Sequence, residues 1–371
     1  MKTKAAVNWG VGQDWKIEEL ELDDPKAGEV LVKLAASGLC HSDEHIITGD
    51  MAVPAYPYIG GHEGAGVIEK VGPGVTSLKV GDHVVLSFIP ACGRCKMCST
   101  GHQNLCDLGA GILEGLQIGD GTARHHIKGA DARLMCVLGT FSPYTVVSEA
   151  SAVKIDDDIP LEVAALVGCG VTTGWGSAVY AAEVGPGDTV VVIGVGGIGM
   201  NAVQGARLAG AKNIIAVDPV EFKREQAQSF GATHTAASMQ EAFPLIQELT
   251  RGVMADKAIL TVGHVDGSMG LELMALVTKG GTAVVTGLGS MMDINVNLSL
   301  FDLTLSQKRL QGALFGSANP RADIPLLLSL YQAGQLKLDE LVTRKYTLEQ
   351  INEGYQDMRD GKNIRGVVVY S

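Results

Sequence analysis

Four cysteines stand within fifteen residues: Cys92, Cys95, Cys98 and Cys106, spaced C-x2-C-x2-C-x7-C. Thiolates on one short loop at this spacing can close a tetrahedron around zinc, at Zn–S distances of about 2.3 Å. Protein would fill every vertex, so the site would be structural. An iron–sulfur cluster is the competing metal reading, because C-x2-C-x2-C opens that motif too. The proline that usually follows the fourth cysteine there is absent, and the last spacing is too long. Free surface thiols are the third reading. Two further segments hold ligand types. Gly38–His45 packs Cys40, His41, Ser42, Asp43, Glu44 and His45 together, and Gly60–Gly66 flanks His62 and Glu63 with glycines. Either segment alone reads equally well as core packing, where small thiols and satisfied imidazoles are common. Together with Cys169, set between Gly168 and Gly170, they look like a second metal site.

The element that must position a second chemistry is Thr189–Asp218. Val190–Ile193 is an apolar β-branched run. Gly194, Gly196, Gly197 and Gly199 follow in the pattern G-x-G-x-x-G, then apolar residues at helical spacing, then a second run, Ile214–Val217, ending in Asp218. This is a β-α-β unit with the dinucleotide fingerprint in register. Gly194 makes the tight turn, Gly196 lets backbone approach a pyrophosphate, and Gly199 lets helix pack on strand. The helix N-terminus offers free N–H groups to phosphate. Asp218 stands where a carboxylate takes ribose hydroxyls, which favours NAD over NADP. Lys223, five residues on, could equally bind a ribose hydroxyl.

Around these segments the chain reads as two domains of an α/β protein. Residues 1–90 hold β-rich runs, Glu29–Ala35, Gly66–Val71 and His83–Phe88, separated by glycine and proline, which suggests an antiparallel barrel-like unit. Residues 107–140 are glycine-rich and irregular, the pattern of a binding loop. There Cys136 reads as a buried small residue, and His125 and His126 as solvated. From Val171 strands (190–193, 214–217, 257–261, 282–286) alternate with helices (197–209, 220–230, 239–250, 267–278), the pattern of a doubly wound parallel sheet. After Gly316 come amphipathic helices at Ile324–Ala333 and Leu348–Arg359 and a closing strand, Gly366–Tyr370.

The 371 residues include 29 Lys and Arg against 41 Asp and Glu, a net charge of −12. With no basic run, nucleic acid and anionic membranes are poor partners. The N-terminus has no apolar signal-like core, and two uncharged stretches, Val163–Ala182 and Thr189–Ala206, are interrupted as buried core is. Seven cysteines without a secretory signal point to metal or catalysis in the cytoplasm rather than a disulfide framework.

Taken jointly, Gly38–His45, Gly61-His62-Glu63, the four-cysteine lobe, Gly168-Cys169-Gly170 and Gly194–Gly199 with Asp218 resemble the zinc-dependent medium-chain alcohol dehydrogenase family over the whole chain. The long segment between Cys106 and Tyr144 is similar to the longer-loop, class III-like branch, and the chain also looks similar to the actinobacterial nicotinoprotein, nitrosoaniline-dependent subfamily. The resemblance implies a GroES-like catalytic domain of residues 1–170 and 315–371 with two zinc sites, and a Rossmann NAD-binding domain of residues 171–314. It implies a catalytic zinc on Cys40, His62 and Cys169, with an open position for water or substrate, and a structural zinc on Cys92, Cys95, Cys98 and Cys106. Glu63 would be an alternative ligand, and Asp43 would orient His62. Ser42 would accept the alcohol proton, and His45 would pass it on. His41 and Arg365 would lie near the pyrophosphate, with Thr173 and Phe88 beside nicotinamide and substrate.

The implied activity is reversible hydride transfer between a primary alcohol or aldehyde and NAD, because a metal ion lowers the pKa of an alcohol oxygen and so eases hydride loss from its carbon. The implied assembly is a homodimer or homotetramer. Two departures stand out. His41 replaces the arginine of many relatives, and the 107–140 loop differs from familiar members, so their substrate preference does not carry over. Three rival readings follow. A thiol-adduct formaldehyde dehydrogenase would need an anion-binding residue in that loop, for which Arg124, Lys128 and Arg133 are candidates. A nicotinoprotein would retain NAD and pass electrons to an external acceptor. A nucleotide-binding structural or sensor protein would have no turnover, and the intact Cys40, His62, Cys169 and Ser42 speak against it.

Overall fold

Val190, Val191 and Val192 are fully buried, as the central strand of a parallel sheet covered on both faces requires. That strand, β1 (Thr189–Ile193), leads into α1 (Gly197–Leu208), β2 (Asn213–Val217), α2 (Glu221–Phe230), β3 (His234–Ala236) and α3 (Met239–Thr250). Then come β4 (Ala255–Leu260), α4 (Met269–Ala275), β5 (Val277–Val285), α5 (Leu300–Leu305) and β6 (Arg309–Gly312). All pairings are parallel, in the order β3-β2-β1-β4-β5-β6. This is the strand order of a dinucleotide-binding sheet. The expected helix 267–278 stops at Ala275, because Val277 already pairs with Ala255 in the sheet. Sequence periodicity also misses β3 and β6, which are short edge strands with little buried apolar surface.

The structure, a computed structural model, describes residues 1–371. The sheet above belongs to a unit of Gly170–Ala318, and the other unit joins Met1–Cys169 to Asn319–Ser371. In that second unit a seven-stranded sheet is built around Glu29–Gly38. Gly64–Val71 and Tyr144–Ser148 pair with this strand antiparallel, and so does the C-terminal strand Arg365–Val369. Val30, Val32 and Leu34 point to one face, where they meet Ile68, Val84, Leu86 and Val147, the period-two arrangement of a half-buried strand. A six-stranded sheet containing Lys2–Asn8 and Lys16–Leu22 completes the unit. No single helix is long and apolar enough to cross a membrane; one bent pair, Leu161–Gly168 with Gly170–Ala181, passes that test jointly, and nearly all its residues are buried in the protein.

Candidate functional site

The four-cysteine lobe is made locally. Cys95 caps the one-turn helix Lys96–Ser99, its sulfur accepting the N–H of Cys98. Cys92 Sγ accepts the N–H groups of Arg94 and Cys95, and Cys106 Sγ accepts that of Cys92. N–H groups aimed at sulfur favour thiolates. The Arg94 N–H leads in lowering Cys92, to about 6. Cys92 and Cys98 sulfurs lie 3.9 Å apart, as do those of Cys95 and Cys106. Four sulfurs about 2.3 Å from one ion have edges of about 3.8 Å, so the lobe fits zinc. The C-terminal segment braces it: Asn319 Oδ1 accepts Gln103 N–H at 2.8 Å, and Arg321 Nε donates to Ala91 O at 2.8 Å.

The second cluster is assembled from distant segments of the same unit. Cys40 ends the stretch after Glu29–Gly38 and precedes the helix His41–Thr48. His62 and Glu63 enter the strand Gly64–Val71, and Cys169 follows the helical segment Leu161–Gly168. One donor atom each from Cys40, His62, Glu63 and Cys169 lies within 4.8 Å of all the others, and all four residues are buried. Two thiols and an imidazole are zinc donors, and with Glu63 engaged by Arg365 they leave one vertex for a small ligand. Asp43 Oδ2 lies 3.1 Å from His62 Nδ1, a short but poorly aligned contact, while its Oδ1 accepts Gly61 N–H at 2.7 Å. Phe88 stands edge-on to the His62 ring at 5.9 Å. Ser42 Oγ is 3.7 Å from Cys40 Sγ; His45 Nδ1 is 3.3 Å from Asp50, and its ring is 5.9 Å from that of His41.

Electrostatics in this cluster follow from burial and charge. A hydrogen bond from the Cys169 thiol leads in holding Cys40 well below the ordinary thiol range, and Cys169 is raised in turn. Burial works against a charged His62, yet Asp43 and Cys40 together raise it well above the usual value. Sheet register supplies another charge pair. Gly64 pairs with Ser37, and Val367 pairs with Gly38 on the other side. Glu63 and Arg365 therefore flank the end of that strand and form a buried ion pair. A Cβ on Gly38 would come within 2.1 Å of Glu63 Oε2 and 3.1 Å of Arg365 Nη2. Arg365, expected near a pyrophosphate, is thus committed to Glu63, while its Nε is buried without a partner. Sequence reasoning passes over Tyr355, whose hydroxyl lies 3.4 Å from the Cys40 carbonyl oxygen. A tyrosine on an amphipathic helix carries no signal of that placement.

In the other unit, the glycine turn joins β1 to α1. A Cβ at Gly199 would sit 2.0 Å from Gly194 O, whereas one at Gly196 would meet nothing within 4 Å. The first keeps helix against strand; the second leaves open space at the helix N-terminus, as a pyrophosphate requires. Asp218 Oδ2 accepts Val195 N–H at 3.0 Å and Oδ1 accepts Val220 N–H at 2.9 Å. Its carboxylate is thereby fixed at the end of β2. Thr173 Oγ1 is buried without a partner on the helix Gly170–Gly176, a donor the protein alone does not use. Lys223 lies half-buried on α2.

The 107–140 segment departs from expectation. His125 is fully buried, with Nε2 3.3 Å from Thr145 Oγ1, and His126 is half-buried between Asp23 at 3.1 Å and Asp131 at 2.9 Å. Neither is simply solvated. The strand His125–Ile127 pairs with Lys16–Leu22, so adjacent residues take opposite faces. The candidate anion binders are engaged as well. Arg124 is buried on Glu29 and Asp120, Lys128 pairs with Glu18, and Arg133 pairs with Glu114. Cys136 is buried beside Ile46, Tyr58 and Met135.

Two family models match, "Alcohol dehydrogenase GroES-like domain" over residues 26–157 and "Zinc-binding dehydrogenase" over residues 197–333. An NDMA-dependent alcohol dehydrogenase of Amycolatopsis methanolica is 59% identical over 371 residues, covering all of both chains. Alcohol dehydrogenase B of Mycobacterium tuberculosis is 54% identical over 371 residues, covering 100% of this chain and 99% of that one. The crystal structure of benzyl alcohol dehydrogenase from Acinetobacter calcoaceticus superposes with a TM-score of 0.91 at 32% identity, covering 100% of each chain.

Proposed function

The chain belongs to the zinc-binding alcohol dehydrogenase family, and we propose from that premise that Cys40, His62 and Cys169 form the reaction centre. It is an oxidoreductase that interconverts an alcohol and a carbonyl compound, with zinc and NAD as cofactors. The observation that carries the site assignment is the buried cluster of two thiols and an imidazole within 4.8 Å of one another. Zinc bound there supplies Lewis acidity toward the alcohol or carbonyl oxygen. The chain's own groups do the rest. Asp43 holds His62 in orientation. Ser42 Oγ, beside Cys40, takes the alcohol proton, and His45 on the same helix passes it toward solvent. Phe88 packs the substrate's apolar part against the His62 side of the site. Burial raises the Glu63 carboxyl and Arg365 works against that shift while holding it in an ion pair within reach of the other donors, which makes Glu63 a reserve ligand. The Gly196 opening and the α1 N-terminus take the pyrophosphate, Asp218 the ribose hydroxyls, and Thr173 Oγ1 the nicotinamide. Lys223, half-buried on α2, supplies a further polar contact to the cofactor. The Cys92–Cys106 lobe holds the structural zinc. The division into a catalytic and an NAD-binding domain follows the two units, Met1–Cys169 with Asn319–Ser371 and Gly170–Ala318.

Within the family, full-length identity of 59% to an NDMA-dependent enzyme supports the nicotinoprotein branch, in which NAD stays bound and an external acceptor removes the electrons. A primary alcohol is the proposed substrate. A thiol-adduct substrate has less support, because Arg124, Lys128 and Arg133 are already paired. Self-assembly through the NAD-binding unit is supported by exposed apolar residues in the segment between β5 and β6, among them Met292 and Ile294 at 86%, Phe301 at 76% and Leu305 at 70%. Seven unpaired thiols fit a reducing cytoplasm.

The test is the zinc and nicotinamide content of the untreated protein after denaturation, together with turnover assays. Two zincs and stoichiometric NAD(H), with turnover on an artificial acceptor alone, are expected. Two zincs with little nucleotide, and turnover on added NAD, would place the enzyme among ordinary dissociable dehydrogenases. A single zinc would overturn the Cys40–His62–Cys169 assignment.

A further inference from the structure

Tyr355 lies on the C-terminal helix Ile351–Arg359 and is buried. Its ring is held by aromatic neighbours, 6.3 Å from Trp15 and 6.3 Å from Phe141. That packing needs no hydroxyl; phenylalanine would fill it. Yet the hydroxyl is directed out of the aromatic box, toward the backbone of an assigned zinc donor: it donates to the Cys40 carbonyl oxygen at 3.4 Å. The same carbonyl accepts the Asp43 N–H at 3.2 Å. Asp43 in turn holds Gly61 N–H and faces His62 Nδ1.

We propose that Tyr355 is a positioning residue of the reaction centre, its hydroxyl fixing the Cys40–Asp43 turn that carries one assigned zinc donor and the carboxylate facing His62. The structural logic is that of an outer hydrogen bond. Such partners set ligand direction, and their loss typically costs 10–100-fold in metal affinity or activity. Here one hydroxyl from residue 355 braces the turn at residue 40, far away in the chain. The inference rests on the reading of Cys40, His62 and Cys169 as ligands.

Tyr355→Phe removes only the hydroxyl and keeps the ring packing. The readout is zinc release from the purified, zinc-loaded protein into a chromogenic chelator, with the four-cysteine lobe as the internal reference. One of two zincs should leave about tenfold faster, the low end of the outer-partner range, while the other leaves at the parental rate. The visible bands of the cobalt-substituted protein should shift. Tyr346→Phe is the control, since the Tyr346 hydroxyl bonds Asp357 instead; it should leave both release rates unchanged. Parental release of both zincs and an unshifted cobalt spectrum would overturn the inference while leaving the ligand assignment standing. Equal effects of Tyr346→Phe and Tyr355→Phe would also overturn it. A parental protein with only one zinc would instead remove the ligand reading on which it rests.

Discussion

The two cysteine clusters of this protein solve different problems. The Cys92–Cys106 lobe takes four like donors from fifteen residues and holds them with N–H groups of its own backbone. The Cys40–His62–Cys169 cluster takes unlike donors from three separated segments and holds them with a buried carboxylate, an ion pair and sheet register. On the proposed zinc assignments the first would close a coordination shell, and the second would leave one position for chemistry. Local closure makes a staple. Assembly from a distance makes a site whose geometry depends on the whole unit.

Single-ligand variants probe that division most directly. Cys40→Ala should lower kcat/KM a thousandfold or more, since a metal supplies several kcal/mol of charge stabilisation and about 4 kcal/mol is a thousandfold. The same variant should keep one zinc and an unchanged far-UV spectrum. Cys98→Ala should also keep one zinc, but its folded fraction should retain parental kcat/KM. Steady-state assays corrected for folded protein, with metal analysis, read both. A thousandfold loss in folded Cys98→Ala that still holds the other zinc would erase the distinction between staple and reaction centre.

Stability should rank the two clusters in the opposite order. Structural zinc binding is folding free energy, so Cys98→Ala should cost several kcal/mol in chemical denaturation, with the lobe region exchanging amides fastest. Cys40→Ala should cost less. Gly38→Ala tests the assembled site without replacing any of its donors. Its Cβ would meet Glu63 Oε2 at 2.1 Å and Leu166 Cδ2 at 2.9 Å. Overpacking of this kind costs about 1–3 kcal/mol, read as a lower denaturation midpoint. One zinc should bind more weakly in this variant, while lobe zinc is retained. Equal weakening of both zincs would show that the damage is general.

Sequence legibility follows the same line. Spacing alone reveals the lobe, because its donors and its scaffold are one segment. The glycine turn and Asp218 are legible for the same reason: strand, turn and helix are consecutive. The assembled cluster is legible only through the joint pattern of distant motifs, and its supporting contacts are not. Glu63–Arg365 arises from strand register across Gly38, and Tyr355 from helix packing; neither leaves a local trace. The edge strands β3 and β6 are missed because partners in the sheet, not their own side chains, define them.

His125 and His126 carry the contrast down to neighbouring residues, with the smallest expected effect. Burial depresses the folded-state pKa of His125 to about 3, whereas for His126 burial is outweighed by Asp23 and Asp131 and the value rises. Unfolded, each titrates near 6.5. The stability that neutral His125 confers is present above that value and is lost as pH falls toward about 3. At pH 5 the loss is about 2 kcal/mol, at about 1.4 kcal/mol per pH unit below the unfolded value. His126 runs the other way. Its contribution is present below the unfolded value and fades as pH rises through the raised folded one. Denaturation free energies of the parent and of His125→Leu, compared at pH 5 and pH 7, isolate the first term, because every other titrating group cancels in the difference. The parent should lose about 2 kcal/mol more than His125→Leu between those pH values, and His126→Gln should change the slope slightly in the opposite sense. Equal slopes in the parent and His125→Leu would mean that His125 is reached by solvent after all, and that strand alternation does not separate these two neighbours.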